Sequence, residues 1–290
     1  MPSNQSGAPG NPGVLFVVAT PIGNPDDISA RALKVLADAD LIACEDTRRT
    51  GQMLAARGLR KHLVSHYEHN EERRVPELIA RLKDGATVAL VTDAGTPAIS
   101  DPGYRLVRAA HEAGVTVQSV PGPSAAIAAL SIAGLPTDRF VFEGFLPTRE
   151  GQLHKRLEAL AREPRTIVFY EAARRLADTL GAMAAAFGED REAAVVREAT
   201  KVHEETVRGT LGQLADRFRN SEVLGEITIV VGGAKEEGPA SGSAATVDSL
   251  MKEGLSLKQA SSIVAKLTGR SRREVYQEAL ARRAQSGDRD

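Results

Sequence analysis

Three stretches decide the fold: VLFVVATPIGN at residues 14–24, TVALVTDAGTP at 87–97 and VTVQSVPGPSAA at 115–126. Each is an apolar, β-rich run that ends directly in a tight Gly/Pro turn, at residues 21–24, 93–97 and 121–124. In an open α/β sheet, ligands collect at the carboxyl ends of strands, where a glycine lets the backbone approach a substrate with no Cβ in the way. One such turn is ordinary punctuation between a strand and a helix. Three in one half-chain predict a pocket.

Outward from these runs, strands and helices alternate. Residues 41–44 are again β-rich, and helical spacing of apolar residues covers 29–37, 75–82, 104–113 and 124–133, with Ser29 as an N-cap and Gly114 as a stop. This predicts an α/β domain over residues 14–134 with a mostly parallel sheet. The pattern breaks at 134–138, and a second set follows: strands at 140–143, 166–170, 193–197, 203–207 and 226–231, with helices near 152–161, 176–187 and 210–218. AAVVRE and HEETVRG lie only a few residues apart, too close for a crossover, so they predict antiparallel pairing and a mixed sheet over residues 135–233.

Composition narrows the remaining possibilities. Lys+Arg 37 against Asp+Glu 38 gives no global basic field, so contact with nucleic acid has to be local. The single cysteine, Cys44, excludes an intramolecular disulfide and a cysteine-based zinc site. Residues 1–13 are polar and rich in Gly, Pro and Ser, which reads as a disordered leader, and no apolar run reaches the length of a membrane span. A soluble, cytoplasmic protein is expected. GGAKEEGPASGSAA reads as a linker, assigned to residues 234–245, ahead of a small helical unit at 246–290. There Ser256 caps LKQASSIVAKL, Gly269 ends that helix, and Ser271 with Glu274 opens the next in a helix-turn-helix shape. Between residues 255 and 283, seven basic side chains (Lys258, Lys266, Arg270, Arg272, Arg273, Arg282, Arg283) face two acidic ones (Glu274, Glu278), a local excess of +5. Such a unit is either a solvated helical face or a phosphate-binding one; the concentration of charge at the turn favours RNA.

Several chemistries are excluded by motif. There is no GxGxxG, no GxxxxGK, no GxSxG elbow and no HExxH. His62, Glu68, His66 and His69 are the one metal-like group, but LVSHY reads as extended, so ordinary polar contacts are expected and no metal. Glu45, Asp46 and Arg48 gather at a strand end, where Arg48 suits a phosphate and Asp46 a base, or where the pair simply caps a helix.

Seven motifs in register carry a resemblance: TPIGN at 20–24, CEDTR at 44–48, SHYEHNE at 65–71, TDAGTPAISDPG at 92–103, PGPSA at 121–125, FEGFLP at 142–147 and FYEA at 169–172. Together they resemble the ribosomal RNA small-subunit methyltransferase I family, of the tetrapyrrole-methylase-like class III fold. The resemblance spans roughly residues 14–233, with the C-terminal helical pair similar too. It implies two α/β domains with S-adenosyl-L-methionine in the cleft between them, a homodimer, and 2'-O-methylation of a cytidine in the decoding centre of 16S rRNA, free or in the 30S subunit. Two other readings stay open: a tetrapyrrole C-methyltransferase of the same fold, and a non-catalytic RNA-binding protein. EDTR, HNE and the basic helical pair argue for RNA over a tetrapyrrole.

Carried onto this sequence, the resemblance places the methionine part of the cofactor at Pro21, Asp93, Ala94, Gly95, Thr96, Ser124 and Ala125. Backbone amides at Gly95 and at the Ser124 helix start are then expected to take its carboxylate. The adenosine is placed against Phe145, Tyr170, Ala199 and the strand opening at Gly225, Glu226 and Ile227. Methyl transfer to a hydroxyl is an in-line displacement in which alignment supplies much of the rate. The proton acceptor is expected among Asp46, Glu71, Asp101, Glu171 and Lys201, with Arg48 on a phosphate.

Overall fold

The structure, a computed structural model, describes residues 13–234 and 242–286, in two compact units that divide at Ala234. The leader assigned to residues 1–13 falls almost wholly outside the described residues, as does the linker over 235–241.

The first unit opens with β1 (Val14–Val18), α1 (Ala30–Asp38), β2 (Leu41–Cys44), α2 (Thr47–Ala55), β3 (Leu63–Ser65), α3 (Glu71–Lys83), β4 (Val88–Leu90), α4 (Tyr104–Glu112), β5 (Thr116–Val120) and α5 (Ala125–Ile132). Its strands pair in the order β3-β2-β4-β1-β5, all parallel, so every strand-end turn emerges on one edge. Both faces of this sheet are covered. Leu36, Ile42, Leu54 and Val91 pack on one side, Leu15, Leu78, Leu90 and Leu106 on the other. Ser29 caps α1 by accepting the Ala32 N–H at 3.0 Å. Two helices depart from the apolar pattern. The sequence TRRTGQMLA shows no helical stripe because α2 buries only Thr50 and Leu54, and α3 begins at Glu71 rather than near 75 because an acidic first turn suits the positive helix end.

The second sheet comprises β6 (Phe140–Phe145), β7 (Thr166–Ala172), β8 (Glu192–Arg197), β9 (Glu205–Thr210) and β10 (Glu226–Val231), in the order β6-β7-β10-β8-β9. β6 and β7 are parallel and the other pairs antiparallel, with Val195 opposite Val207 in the β8–β9 hairpin. Helices α6 (Glu150–Leu160), α7 (Leu176–Phe187) and α8 (Leu211–Phe218) cover one face. The opposite face is covered from outside its own segment. Ala126, Ala129, Leu130 and Ala133 of α5 pack on Val168, Ala194, Val196 and Val230. A helix read as closing the first domain therefore roofs the second sheet, and the two sheets form one body. Period-2 alternation sorts the strands accordingly: Ile167 and Phe169 face α7, while Val168 and Tyr170 face α5.

The second unit is a three-helix cluster, α9 (Gly242–Lys252), α10 (Leu257–Thr268) and α11 (Arg272–Ser286), around Val247, Ala260, Val264, Ala265, Val275 and Ala279. The first of these helices starts inside the stretch read as linker to residue 245; its Gly/Ser/Ala composition hid it. The two expected helices have their expected caps. Ser256 forms a capping box with Gln259, Gly269 is left-handed at φ 69°, and the Glu274 N–H donates to Ser271 Oγ at 3.2 Å.

Candidate active site

The three Gly/Pro turns are stitched into one floor. After β1, the Thr20 N–H donates to the Gly95 carbonyl (2.9 Å) and the Gly95 N–H returns to the Thr20 carbonyl (3.1 Å). The buried Thr20 hydroxyl donates to the Thr92 carbonyl at 3.0 Å, and the Thr96 hydroxyl reaches across to the Pro123 carbonyl at 3.2 Å. Gly95 sits at φ +85°, and a Cβ built there meets nothing closer than Ile22 Cγ2 at 3.5 Å. Backbone conformation, not crowding, requires the glycine.

Above this floor lies a cavity of about 380 Å³, bounded on one side by the turns after β4 and β5 and on the other by β6, β7 and the start of β10. Of the residues expected to hold a cofactor, Ala94, Gly95, Thr96, Ser124, Ala125, Phe145, Tyr170, Gly225, Glu226 and Ile227 line it. Pro21, Asp93 and Ala199 do not. Ile22 supplies the wall from the first turn instead of Pro21. Asp93 is turned toward α2, accepting the Asp46 N–H at 3.1 Å and pairing with Arg49 at 3.2 Å. Ala199 packs into the core between α5 and the second sheet. Ile22, Ile99, Ser100 and Thr228 line the cavity without having been singled out. The signal for the first three was present, since they lie inside TPIGN and PAISDPG.

Of the amides expected at a ligand carboxylate, Gly95 and one of those at the Ser124 helix start, Ala126, have partners within the protein. Gly95 N–H is held by Thr20, and the Ala126 N–H donates to the Tyr170 hydroxyl at 3.1 Å. Tyr170 thus caps α5 with its oxygen while its ring packs against Phe142 and Phe145, at centroid distances of 5.0 and 5.6 Å. Burial, with the Asp101 charge adding, pushes the phenol's pKa up. The ring and its phenylalanines form the apolar wall, and the start of β10 at Gly225 supplies backbone beside it.

The charged candidates separate sharply. Asp46 is the N-cap of α2: its Oδ1 accepts the Arg48 N–H at 2.8 Å and its Oδ2 pairs with the Arg48 guanidinium at 3.0 Å, which holds the carboxyl below its usual range. Neither Asp46 nor Arg48 lines the cavity. Glu71 is buried as a brace, accepting the Gly103 N–H at the start of α4 (2.8 Å), with His66 Nε2 at 3.3 Å and Arg105 at 3.6 Å. Glu171 belongs to the cavity lining, but strand alternation sends its carboxylate the opposite way from Tyr170, into Thr179 Oγ1 (2.7 Å), its neighbour's N–H at Ala172 (2.7 Å) and Arg175 (3.4 Å). Burial disfavours the Lys201 ammonium, yet Glu198 at 2.8 Å and Glu226 at 3.1 Å outweigh it and raise its pKa.

Asp101 differs from all of these. It lines the cavity from a loop in which Ala98 and Ser100 hold positive φ, 70° and 59°, while Glu71 pins the loop's end at Gly103. Burial pushes its carboxyl up to about 6, with the charges of Glu45 and Asp93 adding and a hydrogen bond from Thr92 opposing. Such a group takes up a proton near neutrality, as a general base must. Among the described residues no group of three or more His, Cys, Asp and Glu side chains could hold a metal ion, and no helix is long and apolar enough to cross a membrane.

Comparison with known proteins agrees with this architecture. The family model described as tetrapyrrole (corrin/porphyrin) methylases matches residues 14–215, and that described as the RsmI C-terminal HTH domain matches residues 237–283. Ribosomal RNA small subunit methyltransferase I of Mesorhizobium japonicum is 46% identical over 280 residues, 95% of this chain and 94% of that one. The Xylella fastidiosa (strain Temecula1) protein of the same name is 47% identical over 268 residues, 91% of this chain and 98% of its own. In fold, the chain resembles the uroporphyrin-III-C-methyltransferase of Thermus thermophilus, with a TM-score of 0.54 at 23% identity over 77% of this chain and 95% of that one. By the extent and identity of these matches, the chain belongs to the ribosomal RNA small subunit methyltransferase I family, within the tetrapyrrole (corrin/porphyrin) methylases.

Proposed function

We propose that this protein transfers a methyl group from S-adenosylmethionine to the ribose 2'-hydroxyl of a cytidine in the decoding centre of small-subunit ribosomal RNA, with Asp101 as the acceptor of the hydroxyl proton. The observation that carries the reading is the cavity itself: one carboxyl titrating near neutrality, above a floor of three joined strand-end turns. The residues present fit the cofactor. About 380 Å³ lies within the range of small-molecule sites, roughly 300–1,000 Å³. Phe145 and Tyr170 offer an apolar slot beside the strand backbone of Ile227 and Thr228 for a purine, and the carboxylates of Asp101 and Glu226 suit the positive charges of an ammonium and a sulfonium. When bound, S-adenosylmethionine supplies an electrophilic methyl whose C–S electron pair leaves with sulfur as the new C–O bond forms.

The protein's own part is alignment and proton acceptance. The pinned loop from Ala98 to Gly103 holds Asp101 at the cavity wall, and the acidic neighbours raise its proton affinity. Arg48, exposed and outside the cavity lining, and in the second unit the basic helices α10 and α11 suit RNA phosphates. The homodimer that the family resemblance implies has support in α5, which is apolar except for Ser131: one face covers the second sheet while Ile127 and Ile132 remain 53% and 44% exposed. Ribosomal RNA as substrate puts the enzyme in the cytoplasm.

Mapping ribose methylation on small-subunit RNA from cells lacking the gene, carrying it, or carrying the Asp101→Asn variant tests the reading. One 2'-O-methyl lost in the first and third, and present in the second, is the expected result. Unchanged RNA methylation, with methyl transfer to a uroporphyrinogen by the purified protein, would replace it with tetrapyrrole chemistry.

A further inference from the structure

The loop that presents Asp101 is strained at a serine, and that serine meets a bulge on the opposite wall of the cavity. Ser100 lines the cavity one residue before Asp101 and holds φ 59°, a left-handed conformation that strains any residue with a Cβ. The loop is closed around it: the Ala98 N–H donates to the Pro102 carbonyl at 3.2 Å and the Ile99 N–H to the Thr96 carbonyl at 3.3 Å. Facing it on β6 is Gly144, at φ +66° where the β6–β7 register shifts, and a Cβ built there would stand 2.9 Å from Ser100 Oγ. A serine therefore stands where glycine would be relaxed, and a glycine where it leaves room for the serine. Backbone outliers of this kind persist where a side chain has a task, and bulges beside a site re-aim what they face.

Among the hydroxyl-bearing residues of the lining, Thr96, Ser124, Tyr170 and Thr228 are buried or half-buried, and Ser100 is exposed. Its neighbours in the lining, Ile99 at 45% and Phe145 at 60%, are exposed as well, so this is the open mouth of the cavity. A second molecule reaching a cofactor on the floor passes here. Resting on the methyltransferase reading, we infer that Ser100 seats the substrate: its hydroxyl donates to an oxygen of the RNA sugar–phosphate backbone next to the attacking 2'-hydroxyl, which leaves Asp101 to the proton. Consecutive Cα atoms lie about 3.8 Å apart, so the two side chains address neighbouring positions of one bound group. Ester and phosphate oxygens only accept, and a serine hydroxyl has one proton to donate and no charge to repel them.

The other polar groups of the lining are placed for other work. Thr96 is engaged with the Pro123 carbonyl at 3.2 Å, Tyr170 caps α5 through the Ala126 N–H, and Thr228 is buried within β10. Glu226, tied to Lys201, carries a charge that repels phosphate. Ser100 is left as the neutral donor at the mouth. Its hydroxyl has no hydrogen-bond partner among the described residues.

The experiment compares the full-length wild type with Ser100→Ala, which keeps the Cβ and the strain but loses the hydroxyl, and Ser100→Gly, which loses all three. Single-turnover methylation of small ribosomal subunits from cells lacking the gene is followed across subunit concentration and pH, with S-adenosylmethionine affinity measured by calorimetry. The expected result is a maximal rate lowered roughly tenfold in both variants, with cofactor affinity and the midpoint of the pH–rate profile unchanged. In melting temperature, Gly144→Ala should cost less in the Ser100→Ala background than in the wild type, because the oxygen its Cβ strikes is gone. A wild-type rate in Ser100→Ala overturns the assignment, and so does a wild-type rate in Ser100→Gly, which would reduce the residue to its backbone. Cofactor affinity lost in step with rate would give the hydroxyl to the cofactor, and a shifted pH midpoint would make it a tuner of Asp101; each overturns the substrate contact. Melting shifts that simply add would remove Ser100 from β6 and overturn it too. Failure of the methyltransferase reading looks different: a wild-type protein that neither binds S-adenosylmethionine nor methylates the subunits.

Discussion

Replacing Asp101 by asparagine separates what this carboxyl costs the fold from what it does in the reaction. Its pKa is raised from 3.8 to about 6, chiefly by burial. A group whose folded pKa lies above its unfolded value holds its proton more tightly in the native state. Its contribution to stability is complete below the unfolded pKa and is lost as pH rises through the folded one. Ionised Asp101 at pH 8 therefore works against folding. Roughly two pH units at about 1.4 kcal/mol each set a ceiling near 3 kcal/mol, and solvent screening of this part-exposed side chain reduces it to about 1–2 kcal/mol. Asparagine keeps the shape and never ionises. The variant should accordingly be more stable than the wild type by that amount at pH 8, a rise of several degrees in melting temperature, with the gain growing between pH 4 and 6 and level above pH 7. Chemical denaturation followed at pH 5, 6, 7 and 8 measures it. Methyl transfer should fall by about 10²- to 10⁴-fold while cofactor affinity stays within a few-fold. A difference in stability independent of pH, or an asparagine variant that is less stable at pH 8, would refute the assignment of a raised pKa to this carboxyl and the catalytic role built on it.

Four further changes, three in the cavity walls and one truncation, test the remaining assignments. Tyr170→Phe strips the acceptor from the Ala126 N–H and should cost about 1 kcal/mol in chemical denaturation. Gly225→Ala should abolish measurable S-adenosylmethionine binding by calorimetry, because Gly225 sits at φ +97° and a Cβ there collides with the Glu198 carboxylate that organises Lys201 and Glu226; Gly95→Ala, at φ +85° but without a close neighbour, should cost only about 1–2 kcal/mol of stability. Truncation after Ala234 removes a unit with its own core, so the remainder should stay folded and bind cofactor as before, while its affinity for ribosomal RNA drops and the salt dependence of that binding flattens. An unchanged salt slope would assign the basic helices to some other contact.

The parts of the site that local chemistry specifies were legible in the sequence. Gly/Pro turns after apolar runs are self-contained signals, and all three converge on the cavity floor because a parallel sheet puts every strand end on one edge. The caps at Ser29, Ser256 and Gly269 are local in the same sense. What could not be read were choices made by distant partners. Asp93 belongs to a cofactor turn by position, yet Arg49 and the Asp46 amide, 44 and 47 residues away in sequence, draw it out of the pocket. Tyr170 and Ala126 are 44 residues apart, and nothing in PGPSAA reveals that a tyrosine oxygen already occupies the helix end. Glu171 is a different case. Period-2 alternation alone puts it on the opposite face from Tyr170, so choosing Tyr170 for the cavity already excluded the Glu171 carboxylate.

That exclusion extends to the whole set of charged candidates, and it gives a physical criterion for the base. A carboxylate that must accept a proton near neutrality cannot be one whose surroundings stabilise its charge. Asp46 is neutralised by Arg48 two residues on, Glu71 is bridged to Arg105 and to a backbone N–H, Glu171 to Arg175 and Thr179, and Lys201 lies between two glutamates. Each has partners that give its side chain a structural task. Asp101 is surrounded in the reverse sense, by burial and by the like charges of Glu45 and Asp93, and the loop that presents it is held in two left-handed conformations at non-glycine residues. Strain and like-charge crowding both destabilise the fold, and they coincide at the one candidate whose carboxyl faces the cavity. Proximity to a strand end placed all of these residues on the same edge. Burial and like charge that outweigh the opposing Thr92 hydroxyl, which only the folded arrangement displays, are what separate Asp101 from the rest.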